Sequence, residues 1–240
     1  MSGTSPIILI LGAGAHIGLP VARMFAAKSY KVALAARSLK ESDSTEDQLN
    51  ITCDFSDPEN VVHAFTRVKK ELGIPSVVLY NAGSLTFAKE PFEISLDAKN
   101  RDMAINHTSA FVAAQQAVLG FAELPAHAAK TFLFTGNILN VKVLSGFMGQ
   151  GTGKSASAHM IAQAAEAYKD RGYKFAIPIA LFRFYYVDER KADGSAKYKV
   201  DGEAHGKHFL ELAEASTQGP WLQTFVKDVG YQDFSSLYKL

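Results

Sequence analysis

Near the N-terminus, Gly12-Ala13-Gly14-Ala15-His16-Ile17-Gly18 places glycines at spacings that suit phosphate binding. The run follows a short apolar segment, Ile7 to Leu11, and precedes one with helical spacing. Glycine in that position permits a tight turn, lets backbone approach a pyrophosphate, and allows a helix to pack closely on a strand. The helix start then offers free N–H groups and the positive end of its dipole. The pattern predicts a dinucleotide site built from Gly12, Gly14, His16, Ile17 and Gly18. The alternative is a glycine-rich turn with no ligand.

The end of the second strand selects between dinucleotides. Leu34-Ala35-Ala36-Arg37-Ser38 carries no acid, and none follows before Glu41. An acid there would bond the ribose 2′-hydroxyl of NAD. Arg37, with Ser38 beside it, can instead pair with a 2′-phosphate through charge-assisted hydrogen bonds. His16 adds a second donor when protonated. NADP is therefore expected rather than NAD; the alternative is a solvated surface arginine. Asp54, followed by Phe55, closes the third strand. Its carboxylate either accepts a bond from an adenine amino group or caps local backbone, and both readings stay open.

These residues need a scaffold, and the rest of the chain supplies one. Apolar runs at Ile7–Leu11, Lys31–Ala36, Leu49–Thr52, Ser76–Tyr80, Thr131–Thr135 and Trp221–Val226 read as buried strands. Between them lie helical patterns at Leu19–Lys28, Pro58–Leu72 (with Asp57 as N-cap), Leu96–Leu119, Gly151–Arg171 and Asp201–Glu214. Ser38 to Gln48 reads as loop. Tyr173 to Val187 is a long apolar stretch. Its second part, Ala176–Phe184, contains Pro178 and suits a central strand poorly, so a local insertion or an edge is expected there. Regular strand–helix alternation implies right-handed crossovers and a Rossmann-type, doubly wound parallel sheet. Neither an internal repeat nor a linker divides the chain, so one domain over residues 1–240 is expected.

Composition agrees with an α/β protein of ordinary solubility. Of 240 residues, 48% are hydrophobic and 20% charged, enough apolar material for a sizeable core. The net charge is +1 with no basic block, so neither nucleic acid nor an anionic membrane is an expected partner. No stretch approaches the roughly 18 uninterrupted apolar residues of a membrane helix. A single cysteine, Cys53, permits no internal disulfide and no cysteine-pair metal site. With no secretory signal pattern, a cytoplasmic location is expected. Gly151-Thr152-Gly153-Lys154-Ser155 has the end of a P-loop, but Met148 stands where its first glycine belongs. His205 and His208 lack the carboxylate–histidine surroundings of a zinc site, so no metal is expected. Asn106-His107-Thr108 has the form of a glycosylation acceptor, which a helical setting makes a chance match.

The order and spacing of these motifs resemble the short-chain dehydrogenase/reductase family over essentially the whole chain. Gly12 to Gly18 is similar to its TGxxxGxG turn, with Leu11 in place of the Thr and His16 in place of a middle Gly. Tyr80-Asn81-Ala82-Gly83 resembles its NNAG element, with Tyr80 in place of the first Asn. Asn106 stands where the family carries an active-site Asn. The resemblance implies NAD(P) binding that includes Asn81, Ala82 and Gly83, oxidoreduction of a small carbonyl or alcohol, and a homodimer or homotetramer. It also implies a Tyr-x-x-x-Lys pair and a preceding Ser. Lys154 fits the Lys position, implying contact with the nicotinamide ribose, but Gln150 stands where Tyr belongs and Asn137 near the Ser position. Tyr168 lies too far along the following helix.

An amide donates a hydrogen bond but is no acid near neutral pH. The expected catalytic set is therefore Asn106, Asn137, Gln150 and Lys154, with the proton donor altered. Asp188, Glu189, Arg190 and Tyr186 are the further groups able to supply a proton. They stand where the family shows a Pro-Gly turn, and their ordinary reading is as solvated loop residues. The leading expectation is an NADP(H)-dependent oxidoreductase. The alternatives are an NADP-binding sensor without turnover, or a non-redox isomerase or cyclase on the same fold.

Overall fold

Strands with no polar residue, such as Ile7–Leu11, need cover on both faces, and the fold provides it. In the computed structural model, which describes residues 5–168 and 182–238, they form one eight-stranded sheet. The strands are β1 (Ile7–Leu11), β2 (Lys31–Ala36), β3 (Gln48–Thr52), β4 (Val77–Tyr80), β5 (Thr131–Thr135), β6 (Arg183–Arg190), β7 (Leu222–Val226) and β8 (Gly230–Tyr231). Their order is β3-β2-β1-β4-β5-β6-β7-β8, and every pairing is parallel except the last. This is the doubly wound Rossmann-type sheet expected from the alternation.

Side chains of successive strand residues point to opposite faces, and the core divides accordingly. Leu9, Leu11, Val78 and Tyr80 face helices α2 (Glu59–Glu71), α4 (Ser109–Glu123) and α5 (Met148–Tyr168). Ile8, Ile10, Val77 and Leu79 face α1 (Gly18–Ala26) and α6 (Gly202–Glu214). Phe25 of α1 and Phe209 of α6 are fully buried there, and each such side chain contributes about 1.5–3 kcal/mol. The winding reverses between β1 and β4, which opens a crevice beyond the carboxyl ends of the strands.

Several elements depart from the sequence expectation. The helix expected over Leu96–Leu119 is three pieces: α3 (Leu96–Met103), a π-helical turn at Ala104–Thr108, and α4 running on to Glu123. At that turn the Asn106 side-chain amide donates to the Asp102 carbonyl at 2.9 Å, a local competition of the kind that distorts helices. Asp57 is not the N-cap of α2. Pro58 holds that position, and the Asp57 carboxylate accepts from the Glu59 N–H at 3.1 Å. Helix α5 starts at Met148, three residues before Gly151, which places Gln150 in its first turn. The presumed loop from Ser38 contains a 3-10 turn at Glu41–Asp43, and the short antiparallel β8 was not anticipated.

The largest correction concerns Asp188, Glu189 and Arg190. They are not loop residues but the buried end of β6. Arg190 pairs with Asp188, while Glu189 pairs with Lys197 and accepts from the Asp201 N–H at 2.7 Å. Buried charges of this kind persist only when paired, and a pattern of three consecutive charges looks like solvated loop until the partners are known. Within Ala176–Phe184, Arg183 and Phe184 belong to β6, and the residues before 182 lie outside those described.

Candidate functional site

A cleft of about 700 Å³ lies at that crevice. Its floor is the glycine turn. Gly12 has φ +101°, and a Cβ there would stand 2.3 Å from the Ala82 nitrogen, so only glycine fits between β1 and the chain after β4. The Gly12 and Ala13 N–H groups donate to the Ala35 carbonyl at 2.9 and 3.1 Å, and the Asn81 side chain donates to the Gly12 carbonyl at 2.7 Å. Asn81 thus fastens the turn to the end of β4. Gly18 is buried against Ala13 and the Gly12 carbonyl, so it serves helix packing and does not line the cleft.

The turn fits a dinucleotide on two counts. Where Gly14 lacks a Cβ there is open space, so a ligand can approach the backbone directly. Helix α1 begins with no side-chain cap and no acid in its first turn, which leaves the positive end of its dipole for a phosphate, although the Leu19 N–H already donates to the Gly14 carbonyl at 3.0 Å and Pro20 has no N–H. His16 and Ile17 line the cleft beside it. Arg37 and Ser38 line it at the end of β2, both exposed. Asp54 and Phe55 line the same end. The Asp54 carboxylate accepts from the Ser56 N–H at 2.9 Å, which holds its pKa below the usual range. That is the turn-acid reading, and its position on the cleft keeps the adenine contact open.

At the other end, helix α5 brings Gln150 and Lys154 to the cleft one turn apart on the same face. The helix can approach because its residues are small. A Cβ on Gly153 would stand 2.6 Å from the Asn106 Cβ, and one on Gly149 2.5 Å from an Asp102 oxygen. Lys154 is buried. Its Nζ donates to the Thr135 carbonyl at 2.8 Å and stands 4.4 Å from the centre of the Phe134 ring. Burial lowers its pKa to about 8, against the opposing influence of Asp188. Asp188 lines the cleft from the end of β6, and burial raises its pKa to about 6 while Arg190 pulls it down.

The remaining expected residues divide. Ala82 and Gly83 line the cleft after β4, and Asn137 lines it after β5. The Asn137 side chain accepts from the Leu139 N–H at 3.1 Å, capping a 3-10 turn at Ile138–Asn140. Asn106 is fully buried and off the cleft lining. Its amide is spent on the Ser84 carbonyl (2.8 Å), the Asp102 carbonyl and the Ser84 N–H, and its own carbonyl accepts from the Ser157 hydroxyl at 2.8 Å. It shapes the wall of the site rather than its surface. Of the four further proton sources, Asp188 alone lines the cleft. The Tyr186 hydroxyl is buried, donates to the Asn137 carbonyl at 2.8 Å and accepts from its N–H at 3.1 Å, with its pKa pushed up by burial.

Sequence reasoning missed two parts of the lining. Leu85, Leu139, Leu144 and Phe147 give an apolar surface near Gln150. After β6 the chain folds back through a bridge between Arg190 and Ala196, bringing Lys197, Tyr198 and His205 to the cleft. Lys197 is held there by the buried Glu189. The apolar residues looked like ordinary loop and helix positions, and no spacing rule links Glu189 to Lys197.

Comparison with known proteins agrees with this architecture. The short chain dehydrogenase family model matches residues 6–179. The chain is 45% identical over 246 residues to the short chain dehydrogenase/reductase dmxR12 of Cryptosporiopsis sp. (strain 8999), covering 96% of each protein. It is 30% identical over 146 residues to the 3-oxoacyl-[acyl-carrier-protein] reductase MabA of Mycobacterium avium, covering 60% of this chain and 51% of that one. Among solved structures, the NADPH-dependent 3-quinuclidinone reductase of Rhodotorula rubra superposes with a TM-score of 0.75 at 21% identity, over 95% of this chain and 92% of that one. A metagenomic short-chain oxidoreductase in complex with NADP superposes at 0.78 with 14% identity, over 95% and 100%.

Proposed function

Because the chain belongs to the short-chain dehydrogenase/reductase family, whose members use NAD(P), we propose that it is an NADP(H)-dependent oxidoreductase with an altered proton donor, acting on a small carbonyl or alcohol. The observation that carries this reading is a single cleft with Arg37 at one end and buried Lys154 at the other. The NADPH-dependent 3-quinuclidinone reductase and the metagenomic oxidoreductase in complex with NADP, which share this fold, support the cofactor choice.

In this reading the glycine turn and the start of α1 hold the pyrophosphate, and Arg37 with Ser38 and His16 receives the 2′-phosphate. Asp54 and Phe55 border the adenine, and Asn81, Ala82 and Gly83 border the adjoining ribose. Lys154 donates to the nicotinamide ribose hydroxyls. When bound, the reduced nicotinamide supplies a hydride. The apolar surface of Leu144 and Phe147 excludes water from the substrate, and the Gln150 and Asn137 amides orient its oxygen by hydrogen bonds. Asn106 keeps the π-helical turn and α5 in register.

Calorimetry with NADPH and NADH tests the cofactor assignment. NADPH is expected to bind more tightly, and Arg37→Ala to lose about 1.5–3 kcal/mol of that preference, roughly ten- to a hundred-fold in affinity. Equal wild-type affinities for the two cofactors would remove the case for NADP. The second reading, NADP binding without redox turnover, is favoured by Gln150. It gains if NADPH binds while simple ketones and aldehydes are left unreduced.

A further inference from the structure

Carbonyl reduction needs a proton at oxygen as well as a hydride at carbon. Gln150 has none to give near neutral pH, and the Tyr186 hydroxyl is committed to the Asn137 backbone on both sides. What remains is the Lys154 ammonium group, with the Asp188 carboxylate on the lining of the same cleft. Lys154 carries three N–H bonds. One is donated to the Thr135 carbonyl, and the Phe134 ring lies beneath the nitrogen. The others are left for the cleft that Lys154 lines. Asp188 faces the same cleft from β6 and is close enough to favour the charged lysine, with Arg190 paired behind it.

We propose that Lys154, kept charged by Asp188, is itself the group that protonates the substrate oxygen in this chain. The proposal rests on the oxidoreductase reading above. In the step, the carbonyl π bond breaks as the nicotinamide hydride forms a C–H bond. An Nζ–H bond of Lys154 breaks as its proton forms the O–H bond, directly or through one water. The products are the alcohol, oxidised cofactor and a neutral amine, which takes its proton back from solvent. Alcohol oxidation reverses each transfer. A lysine is ordinarily too weak an acid for this at neutral pH, but burial brings Lys154 to about 8, close to the working range of a general acid. Asp188 is the positioning residue. Removing its charge lowers the lysine pKa further, because the carboxylate is what opposes the effect of burial. The elements packed around Lys154 present uncharged Phe134 and Thr135 from β5, while α3 brings Asp102 against Gly149 and the π-helical turn brings His107 within 3.3 Å of the Ser157 hydroxyl. The other titratable groups on the cleft are His16, Arg37 and Asp54 towards the glycine turn, and Lys197, Tyr198 and His205 after β6, with Tyr198 mostly exposed.

The test uses the full chain with NADPH and three probes: acetophenone, cyclohexanone and benzaldehyde. Lys154→Arg keeps the charge but cannot release a proton at these pH values. At saturating NADPH, with the affinity of the variant measured by calorimetry, it is expected to lose about 10²–10⁴-fold in kcat. Wild-type reduction should fall as pH rises through about 8, and in Asp188→Asn that limb should move to lower pH. Independently of turnover, the Lys154 Cε resonance, assigned by its loss in Lys154→Arg, should titrate near the same midpoint with NADP bound. Wild-type rates in Lys154→Arg, or a wild-type midpoint at the ordinary value of about 10.4, would overturn the proposal and leave the oxidoreductase reading standing. NADPH binding with no wild-type reduction of any probe would overturn both.

Discussion

At the scale of single residues, the site turns on what stands one turn before Lys154. Gln150 is partly exposed, lines the cleft, and shares a helix face with the lysine. A phenol placed there would sit beside a buried ammonium, which lowers a phenol's pKa. Gln150→Tyr is therefore expected to raise ketone reduction by about tenfold, a modest part of the 10²–10⁴ available to a general acid because Lys154 already supplies protons. The same substitution should shrink the penalty of Lys154→Arg, since the phenol takes over the transfer. Kinetics on the two single variants and the double variant measure this. A Lys154→Arg penalty as large in the Gln150→Tyr background as with Gln150 would count against it.

At the scale of elements, the end of β6 is joined to the start of α6 by polar contacts, in addition to the apolar core that Tyr185 and Val187 share with Phe209 and Ala213. The buried Glu189 at the end of β6 accepts from the Asp201 N–H, and Asp201 is the N-cap of α6, its side chain accepting from the Ala204 N–H at 3.0 Å. Lys227, just past β7, bonds the same Asp201 carboxylate at 2.6 Å. The Lys227 bond, and then the Ala204 N–H, bring the Asp201 pKa down to about 2. Asp201→Ala should cost about 1 kcal/mol, the usual worth of such a cap, read as a lower midpoint in urea. The pH dependence has a definite sign. The folded pKa is below the unfolded value of about 3.9, so the contribution is present above that value and is lost as pH falls towards about 2. A wild-type-minus-variant stability difference that stays constant across this window would contradict the assignment.

At the scale of the whole molecule, α4 carries an unusual outer face. Phe111 is 49% exposed and Leu119 is 58% exposed, on a stripe with Gln115 between them at four-residue spacing. The opposite face is spent on the sheet, where Ala113, Ala117 and Phe121 are buried. The small residues of α5 are partly accounted for inside the chain, since Gly149 and Gly153 admit Asp102 and Asn106. An exposed apolar stripe on a long helix suits pairing across a two-fold axis. We expect a homodimer or homotetramer, with Phe111→Glu shifting it towards monomer. Light scattering at micromolar concentration decides, and a wild-type protein seen only as monomer would refute the expectation.

The parts of this protein readable from sequence are those governed by local rules. Uninterrupted apolar runs mark strands buried on both faces, and so the sheet; Gly12, Gly14 and Gly18 mark the turn; the missing acid after β2 marks Arg37. Each depends on a few neighbouring residues. The structure alone decided three other matters. It put Asn106 inside a π-helical turn, because its amide meets Ser84 from a distant loop. It turned Asp188, Glu189 and Arg190 from apparent loop into buried strand, because Glu189's partners Lys197 and Asp201 arrive only when the chain folds back. It set Asp188 on the same cleft as Lys154, 34 residues apart in sequence. Ionisation depends on burial and on charges brought near by folding, and no window of sequence contains either.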